Sequence, residues 1–459
     1  MYQIDFNHPN SIYFVGIGGI SMSGLAEILL NAGFQVSGSD SKSSTLTEEL
    51  MQKGVSIHYP QQKENITDSI DCAVLTSAIK KDNPEYLALL SMGIPCLTRA
   101  QLLGQIMKNY STPIAVSGTH GKTTTTSMIS DILLHANLDP TLSIGGILKS
   151  IGGNIRIGQS GLFVTEACEY TNSFLSFHPK ISIVLNIEED HMDFFKDLAH
   201  IRSSFYDFIH LLKEDSCLII NTEINDWQSL CESLPCKVIT YGQEESCDYC
   251  ISHISYDHTG HSSFTLTGPD KLPMHFTMQV PGAHNISNAA AAIALANYLH
   301  IDTSVIQDAL ASFTGTDRRF EYKGQIGGIT IIDDYAHHPT EITATLQAAE
   351  NYPHKTTWCV FQPHTYTRTK AFLSDFAKSL SGADQIILTD IFPARETDTL
   401  GIHSTDLVNA IKELGKECYY FPSFDETENF LLENCTKGDL LITMGAGDVH
   451  KIGENILGI

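Results

Sequence analysis

A chain of 459 residues with 53 acidic and 28 basic side chains carries a formal net charge of −25, which repels polyanions and argues against nucleic acid or an anionic membrane as a partner. Hydrophobic and charged contents of 42 % and 18 % are those of a globular protein too long for one core, and about three domains are expected. No run approaches about 18 apolar residues, the opening MYQIDFNHPNS lacks the basic and apolar stretches of a signal peptide, and 11 cysteines scattered along the chain suit a reducing cytoplasm rather than a disulfide framework.

The first region opens with SIYFVGIGGISMSGLAEILLNAGFQVSGSD. A β-branched and aromatic strand, a glycine turn, an amphipathic helix and a second strand ending at Asp40 make a βαβ unit. Gly16, Gly18 and Ser21 occupy the three positions of GxGxxG, and Asp40 follows where a ribose-binding acid belongs. Serine at the third position weakens the case for a dinucleotide. The turn suits a nucleotide or a nucleotide-sugar diphosphate, or is a purely structural turn. Strands in DCAVLTSAI and GIPCLT continue the pattern, and the helix RAQLLGQIMKN closes a domain over 1–107.

The second region, 108–315, begins with IAVSGTHGKTTTT, an apolar strand running through a glycine-lysine-threonine turn into a helix. Gly118 and Gly121 let successive N–H groups converge on one point, and the positive end of the helix draws an anion there. Lys122 can reach a terminal phosphate and the Thr123 hydroxyl a Mg²⁺ ion. The spacing departs from the usual P-loop, because Val116 stands where its first glycine would be. Further strands, GLFVTEAC and KISIVLNI, end in polar residues. Parallel strands gather their sites beyond their carboxyl ends, so Glu166 after GLFVT and His191 in EEDHMD are expected to face the phosphate loop, where each could hold magnesium. Cys231, Cys236, Cys247 and Cys250 could be read as a zinc site, but a CESLPC pair and an intervening strand and turn favour free thiols. An alanine-rich helix after Pro281 ends the region.

The third region, 316–459, has strands feeding polar loops in GITIIDDYAHHPTE, TTWCVFQPHTYTRTK, ADQIILTDIFPA and DLLITMGAGD. Pro339 suits the first position of a helix, so His337 and His338 sit at its N-terminus. The fold class is α/β in three domains: an N-terminal Rossmann-like domain, a central P-loop-type domain with a mainly parallel sheet, and a C-terminal Rossmann-like domain.

The series GIGGISMSG, TSAIKKDNPE, GTHGKTTTT, EACEY, NIEEDHMD, GAHNISNAAAA, DRRFE, DDYAHHPTE and FQPHTYTRTK resembles, in order and over essentially the whole chain, the Mur ligases of bacterial peptidoglycan synthesis. The resemblance implies ATP-driven amide ligation in the cytoplasm by a monomer or dimer, with ATP and Mg²⁺ as cofactors and UDP-N-acetylmuramate and L-alanine as substrates. It implies an ATP site at Gly118, Thr119, His120, Gly121, Lys122, Thr123 and Thr124, with Asn285, Asn288 and Asp334, His284 near the adenine, and Arg319 reaching across to the phosphates. Thr123 and Glu166 would hold one magnesium and His191 a second. Gly16, Gly18, Gly19, Ile20, Ser39, Asp40 and Ser77 would bind the UDP-sugar, and Tyr335, His337, His338 and Arg368 would face the amino acid and acyl group. The groups acting in catalysis would be Lys122, His191, Arg319 and His337, the last as the base for the incoming amine. Thr365 departs from relatives that carry arginine there, which unsettles one carboxylate contact. Closure is expected to hinge between Phe313 and Arg319. The rival readings are a sibling ligase with another amino acid or peptide, folylpolyglutamate synthetase, and an NAD-dependent oxidoreductase argued from the first glycine turn alone. The synthetase shares the phosphate loop but has no need of the first domain.

Overall fold

Three groups of short apolar strands, buried at their centres and more exposed at their edges, form three separate sheets. The computed structural model describes residues 2–459 apart from Thr259 and Arg395. In the first sheet five parallel strands run in the order Ser56–His58, Gln35–Ser39, Ser11–Val15, Cys72–Leu75, Cys96–Thr98. Ile12 and Phe14 pack to one side of the central strand, Tyr13 and Val15 to the other, as the period of two requires. The glycine turn leaves that strand where the strand order reverses, the position at which open parallel sheets bind ligands.

The second sheet has ten strands, in the order Pro273–Met278, Ser262–Thr267, Tyr249–Tyr256, Lys237–Gly242, Cys217–Asn221, Ile181–Val184, Thr112–Ser117, Leu162–Ala167, Thr141–Leu148, Gly153–Arg156. Its interior pairs are parallel, whereas the two edges are antiparallel hairpins. Helix Lys122–His135 shares one core with the alanine-rich helix Ala283–Tyr298. Alanines 289–292, all buried, let the second helix come close enough for Asn288 to meet the phosphate loop.

The third sheet has six strands, in the order Glu321–Ile326, Ile329–Asp334, Leu440–Met444, Thr357–Phe361, Gln385–Leu388, Cys418–Tyr420. Only the first pair is antiparallel. The three-domain α/β organisation expected from the sequence is therefore present, with the second and third sheets mixed rather than purely parallel. No helix among the described residues is long and apolar enough to cross a membrane.

Between the second and third sheets the chain passes through residues 313–320. Thr316 is buried, bridges to Leu148 and donates its hydroxyl to Ser127 Oγ at 3.0 Å. Arg318 belongs to the other side, donating through Nε to Asp333 Oδ2 at 2.8 Å and through Nη2 to the Gly445 carbonyl at 2.7 Å. Gly315, Arg318 and Phe320 all have positive φ, so the direction of the chain changes between two firm anchors.

Candidate active site at the seam of two sheets

Strand Thr112–Ser117 ends in a loop whose tightness requires glycine. Gly118 and Gly121 have φ of 146° and 81°, and a Cβ on Gly121 would lie 2.6 Å from Asn288 Oδ1. The helix begins at Lys122, so its first free N–H groups face the loop. Lys122 Nζ turns back onto the loop, donating to the Thr119 carbonyl at 3.0 Å, to the Gly118 carbonyl, and to Glu169 Oε2 at 2.9 Å. Burial disfavours the ammonium charge, but the adjacent Glu169 carboxylate outweighs it and the Lys122 pKa is pushed up to about 12. Glu169 is 2 % exposed. Its other oxygen, Oε1, is buried without a hydrogen-bond partner and lies 3.7 Å from His191 Nε2.

His191 stands on a loop beyond a strand that stops at Val184, three residues short of the apolar run KISIVLNI that suggested a longer one. The ring stacks on Tyr170 at 4.5 Å, and burial lowers its pKa despite two nearby carboxylates. Next to it Asp190 Oδ1 accepts from Arg368 Nη2 at 2.9 Å and Nε at 3.2 Å. Burial opposes the negative charge, yet Arg368 holds the Asp190 carboxyl well below the usual carboxylate range. This buried pair joins the second sheet to the third. Glu166, expected after its strand, lies within it (Leu162–Ala167) and accepts the Gly145 N–H at 2.6 Å.

A cavity of about 520 Å³ opens beside the loop, lined by His120, Gly121 and Thr124 from the second sheet's turn, His284, Asn285 and Asn288 from the alanine-rich helix, and Arg319 and Asp334 from the third unit. The two asparagines hold each other: Asn285 Nδ2 donates to the Pro281 carbonyl at 2.7 Å and Asn288 Nδ2 to Asn285 Oδ1 at 3.3 Å. Burial pushes the His284 pKa down to about 4 and that of Asp334 up to about 6 against the pull of Arg319. Asp334 accepts the Phe320 and Ala336 N–H groups at 2.8 and 2.7 Å. Of the two arginines in DRRF, Arg318 is tied to its sheet, whereas Arg319 faces the cavity, 5.2 Å from the Tyr335 ring centre.

A second cavity, of about 560 Å³, lies on the other side of the seam, lined among others by Tyr170, Asp190, His191, His364, Thr365 and Arg368. Thr365, at φ 66°, caps the helix Tyr366–Ala371 by accepting the Arg368 N–H at 3.4 Å. His337 is near this wall, 5.6 Å from the His364 ring. Its Nδ1 lies 3.0 Å from the Tyr335 carbonyl, which accepts a hydrogen bond and so places the ring proton on Nδ1 and the lone pair on Nε2. Burial pushes its pKa down to about 4, so the ring is neutral at neutral pH. His338 caps the helix Pro339–Glu350, and Glu341 completes that cap by accepting the His337 and His338 N–H groups at 3.0 and 3.3 Å.

The predicted UDP-sugar residues sit apart, at the carboxyl end of the first sheet. Gly16 has φ 81°. Gly18 N–H donates to Asp40 Oδ2 at 2.8 Å, and Asp40 Oδ1 accepts the Ser41 N–H at 2.7 Å. Gly19 caps the helix that Ile20 opens, and Ser77 lies in the partly exposed turn after strand Cys72–Leu75. Ser39, which the resemblance assigns to the UDP-sugar, has its hydroxyl already engaged. It is fully buried, its hydroxyl donates to Glu85 Oε2, and its carbonyl accepts Gly16 and Ile17 N–H groups at 2.9 and 3.0 Å. Its place is to brace the turn from behind.

Sequence reasoning passed over Glu169, Asp190, Glu188 and Glu341, which fix Lys122, Arg368 and the histidines. Three lie inside the motifs EACEY and NIEEDHMD, but pairing across sheets leaves no spacing signature. Glu341 did leave one: a glutamate three residues after an N-cap is the capping-box pattern.

Three family profiles match consecutive parts of the chain: the Mur ligase family catalytic domain over residues 11–111, the Mur ligase middle domain over 116–296 and the Mur ligase glutamate ligase domain over 318–447. The UDP-N-acetylmuramate–L-alanine ligase of Lachnospira eligens is 55 % identical over 458 residues, and that of Agathobacter rectalis 56 % over 457, with all of each chain covered. Among solved structures, the UDP-N-acetylmuramate–alanine ligase of Thermotoga maritima aligns with a TM-score of 0.81 at 29 % identity, covering 98 % of this chain and 99 % of that one. A murein peptide ligase from Psychrobacter arcticus aligns with a TM-score of 0.74 at 25 % identity over 98 % of both chains. The chain belongs to the Mur ligase family.

Proposed function

We propose that this protein joins L-alanine to the lactyl carboxylate of UDP-N-acetylmuramate at the expense of ATP, in cytoplasmic peptidoglycan synthesis, giving UDP-N-acetylmuramoyl-L-alanine, ADP and phosphate. The observation that carries this reading is the end-to-end match, 55 % identical over 458 residues, to a ligase of that name. The division of labour follows domains of 1–107 for the UDP-sugar, 108–315 for ATP and 316–459 for the amino acid.

A carboxylate is a poor acyl donor because oxide is a hopeless leaving group. Transfer of the γ-phosphoryl to a carboxylate oxygen gives an acyl phosphate and ADP. Attack by the amine then expels inorganic phosphate and forms the amide. Positioning and charge neutralisation dominate the first step. Lys122, held beside Glu169, is suited to follow the transferring phosphoryl, and Arg319 meets it from the third unit. The Gly121 cradle, which a Cβ would fill, fits close approach of phosphate to backbone N–H groups. The adenosine is assigned to the cavity of His284, Asn285 and Asn288.

Magnesium suits the oxygen donors here: the Thr123 hydroxyl, the Glu166 carboxylate and the orphaned, buried Glu169 Oε1. His191 borders the same group. When bound, the ion would neutralise phosphate charge and polarise the reacting oxygens.

The acyl acceptor is assigned to the second cavity. Arg368 presents its guanidinium to a carboxylate there while Asp190 fixes its direction. An ammonium ion is no nucleophile, and His337, neutral with Nε2 unprotonated, is the assigned proton acceptor. Closure of the third unit over the second protects the acyl phosphate from water. Phosphate release should require ATP, UDP-N-acetylmuramate and L-alanine together. Release that ignores either co-substrate, or that follows another amino acid or a peptide in preference to alanine, would overturn the assignment.

A further inference from the structure

Two imidazoles lie against each other at the seam, each with a buried ring nitrogen that makes no hydrogen bond. His120 belongs to the phosphate loop and His338 to the N-cap of helix Pro339–Glu350, and their ring centres are 4.7 Å apart. The Nε2 atoms of both are buried without a hydrogen-bond partner, and His338 is only 5 % exposed. A buried polar atom left unpaired is destabilising, so two of them on neighbouring rings call for a shared partner.

Glu188 completes the set. Its Oε2 lies 3.6 Å from His120 Nε2 and is steadied by the Thr340 hydroxyl at 2.7 Å. One donor atom from each of His120, Glu188 and His338 falls within 4.8 Å of the others. Behind His120, Glu341 Oε1 lies 3.2 Å from Nδ1. That carboxylate–imidazole contact holds the proton on Nδ1 and leaves the lone pair on Nε2. Ligation by His338 Nε2 would put a proton on its Nδ1 and forfeit the long, 3.4 Å bond from Thr340 N–H. The two N–H bonds to Glu341 would still cap the helix.

We propose that His120, Glu188 and His338 form a binding site for one divalent transition-metal ion of the zinc class. Two imidazoles and one carboxylate suit such an ion, with water at the open position, and do not suit magnesium. The ligands come from both sides of the seam. An ion bound to all three therefore favours the closed arrangement over any open one and slows a turnover that needs the seam to open.

The test uses the full-length chain freed of transition metals, with magnesium in excess, titrated with Co²⁺ as a visible-absorption probe. No substrate is needed, so the outcome is independent of the ligase reading. One equivalent should give a ligand-field band of a low-coordinate N/O site, and X-ray scattering should show compaction on addition. Glu188→Gln and His338→Asn should each weaken the band's apparent affinity more than about tenfold. Asparagine retains an N-cap for the helix, and an unchanged melting midpoint would exclude unfolding as the cause. Absence of a band, a band indifferent to both substitutions, or one abolished by His191→Asn alone would overturn the proposal.

Discussion

Two strand–glycine–helix turns in this molecule share their order of elements and have opposite electrostatic designs. At the first, Gly16 has φ 81° and the turn is fastened by a carboxylate, Asp40, that occupies the Gly18 N–H. At the second, the glycine of positive φ is the helix N-cap, Gly121, and the turn carries an ammonium, Lys122, against the buried Glu169. The first turn can offer a diphosphate only backbone donors and the start of a helix. The second adds a charge whose counter-ion is already in place, so an arriving phosphate would exchange one anionic partner for another without desolvating a bare lysine. Under the proposed function, the former suits holding a diphosphate, and the latter suits stabilising charge that moves during phosphoryl transfer.

The largest expected effect breaks the second turn alone. Lys122→Ala should lower the rate of phosphate release by about 10²–10³-fold in a protein that still folds, with a lowered melting midpoint because Glu169 loses its buried counter-ion, and a near-normal rate would remove the lysine from the phosphoryl site. Acid should act next, and on the seam rather than the first turn. His284 and His337 have an ordinary pKa of 6.5 but are pushed to about 4 by burial. The unfolded chain therefore binds protons that the native chain refuses, and the stability present above pH 6.5 is lost as pH falls towards 4. The upper limit is about 3 kcal/mol per ring. Asp334, raised to about 6, acts in the opposite sense over part of that window, so the test is a difference: urea midpoints should fall less steeply with acid in His284→Gln than in the unsubstituted protein, and identical slopes would contradict a buried neutral ring at 284.

Gly121→Ala places a methyl 2.6 Å from Asn288 Oδ1 at a positive φ and should cost about 1–3 kcal/mol, seen as a raised KM for ATP with that for the UDP-sugar unchanged. The smallest effect is the mirror image. Asp40→Ala frees the Gly18 N–H and should raise the KM for the UDP-sugar by about fivefold, roughly 1 kcal/mol, leaving ATP untouched. Crossed effects would mean that the turns do not divide the substrates.

Both turns were visible in the sequence because each joins an apolar strand to glycines and a helix within a dozen residues. Other parts were not. The strand Tyr249–Tyr256 alternates poorly and leaves Ile254 exposed, so the antiparallel edge of the second sheet gave no clear period. His191 sits beyond a shorter strand than its apolar run suggested, because the residues after Val184 turn to serve the phosphate loop: Asn186 Oδ1 accepts the His120 N–H at 2.8 Å. The family resemblance assigned Ser39 to the UDP-sugar, and nothing in the sequence signalled that its hydroxyl is taken by a buried carboxylate, Glu85, 46 residues away in the chain. Local chemistry marks where a phosphate goes. The counter-charges that position it come from tertiary neighbours.

The central claim is that the seam activates a carboxylate by phosphoryl transfer. UDP-N-acetylmuramate labelled with ¹⁸O in its lactyl carboxylate tests it most directly, by mass spectrometry of the phosphate released during ligation to L-alanine. The account predicts that one labelled oxygen from the carboxylate appears in inorganic phosphate for each amide formed. Amide formation with unlabelled phosphate would contradict it.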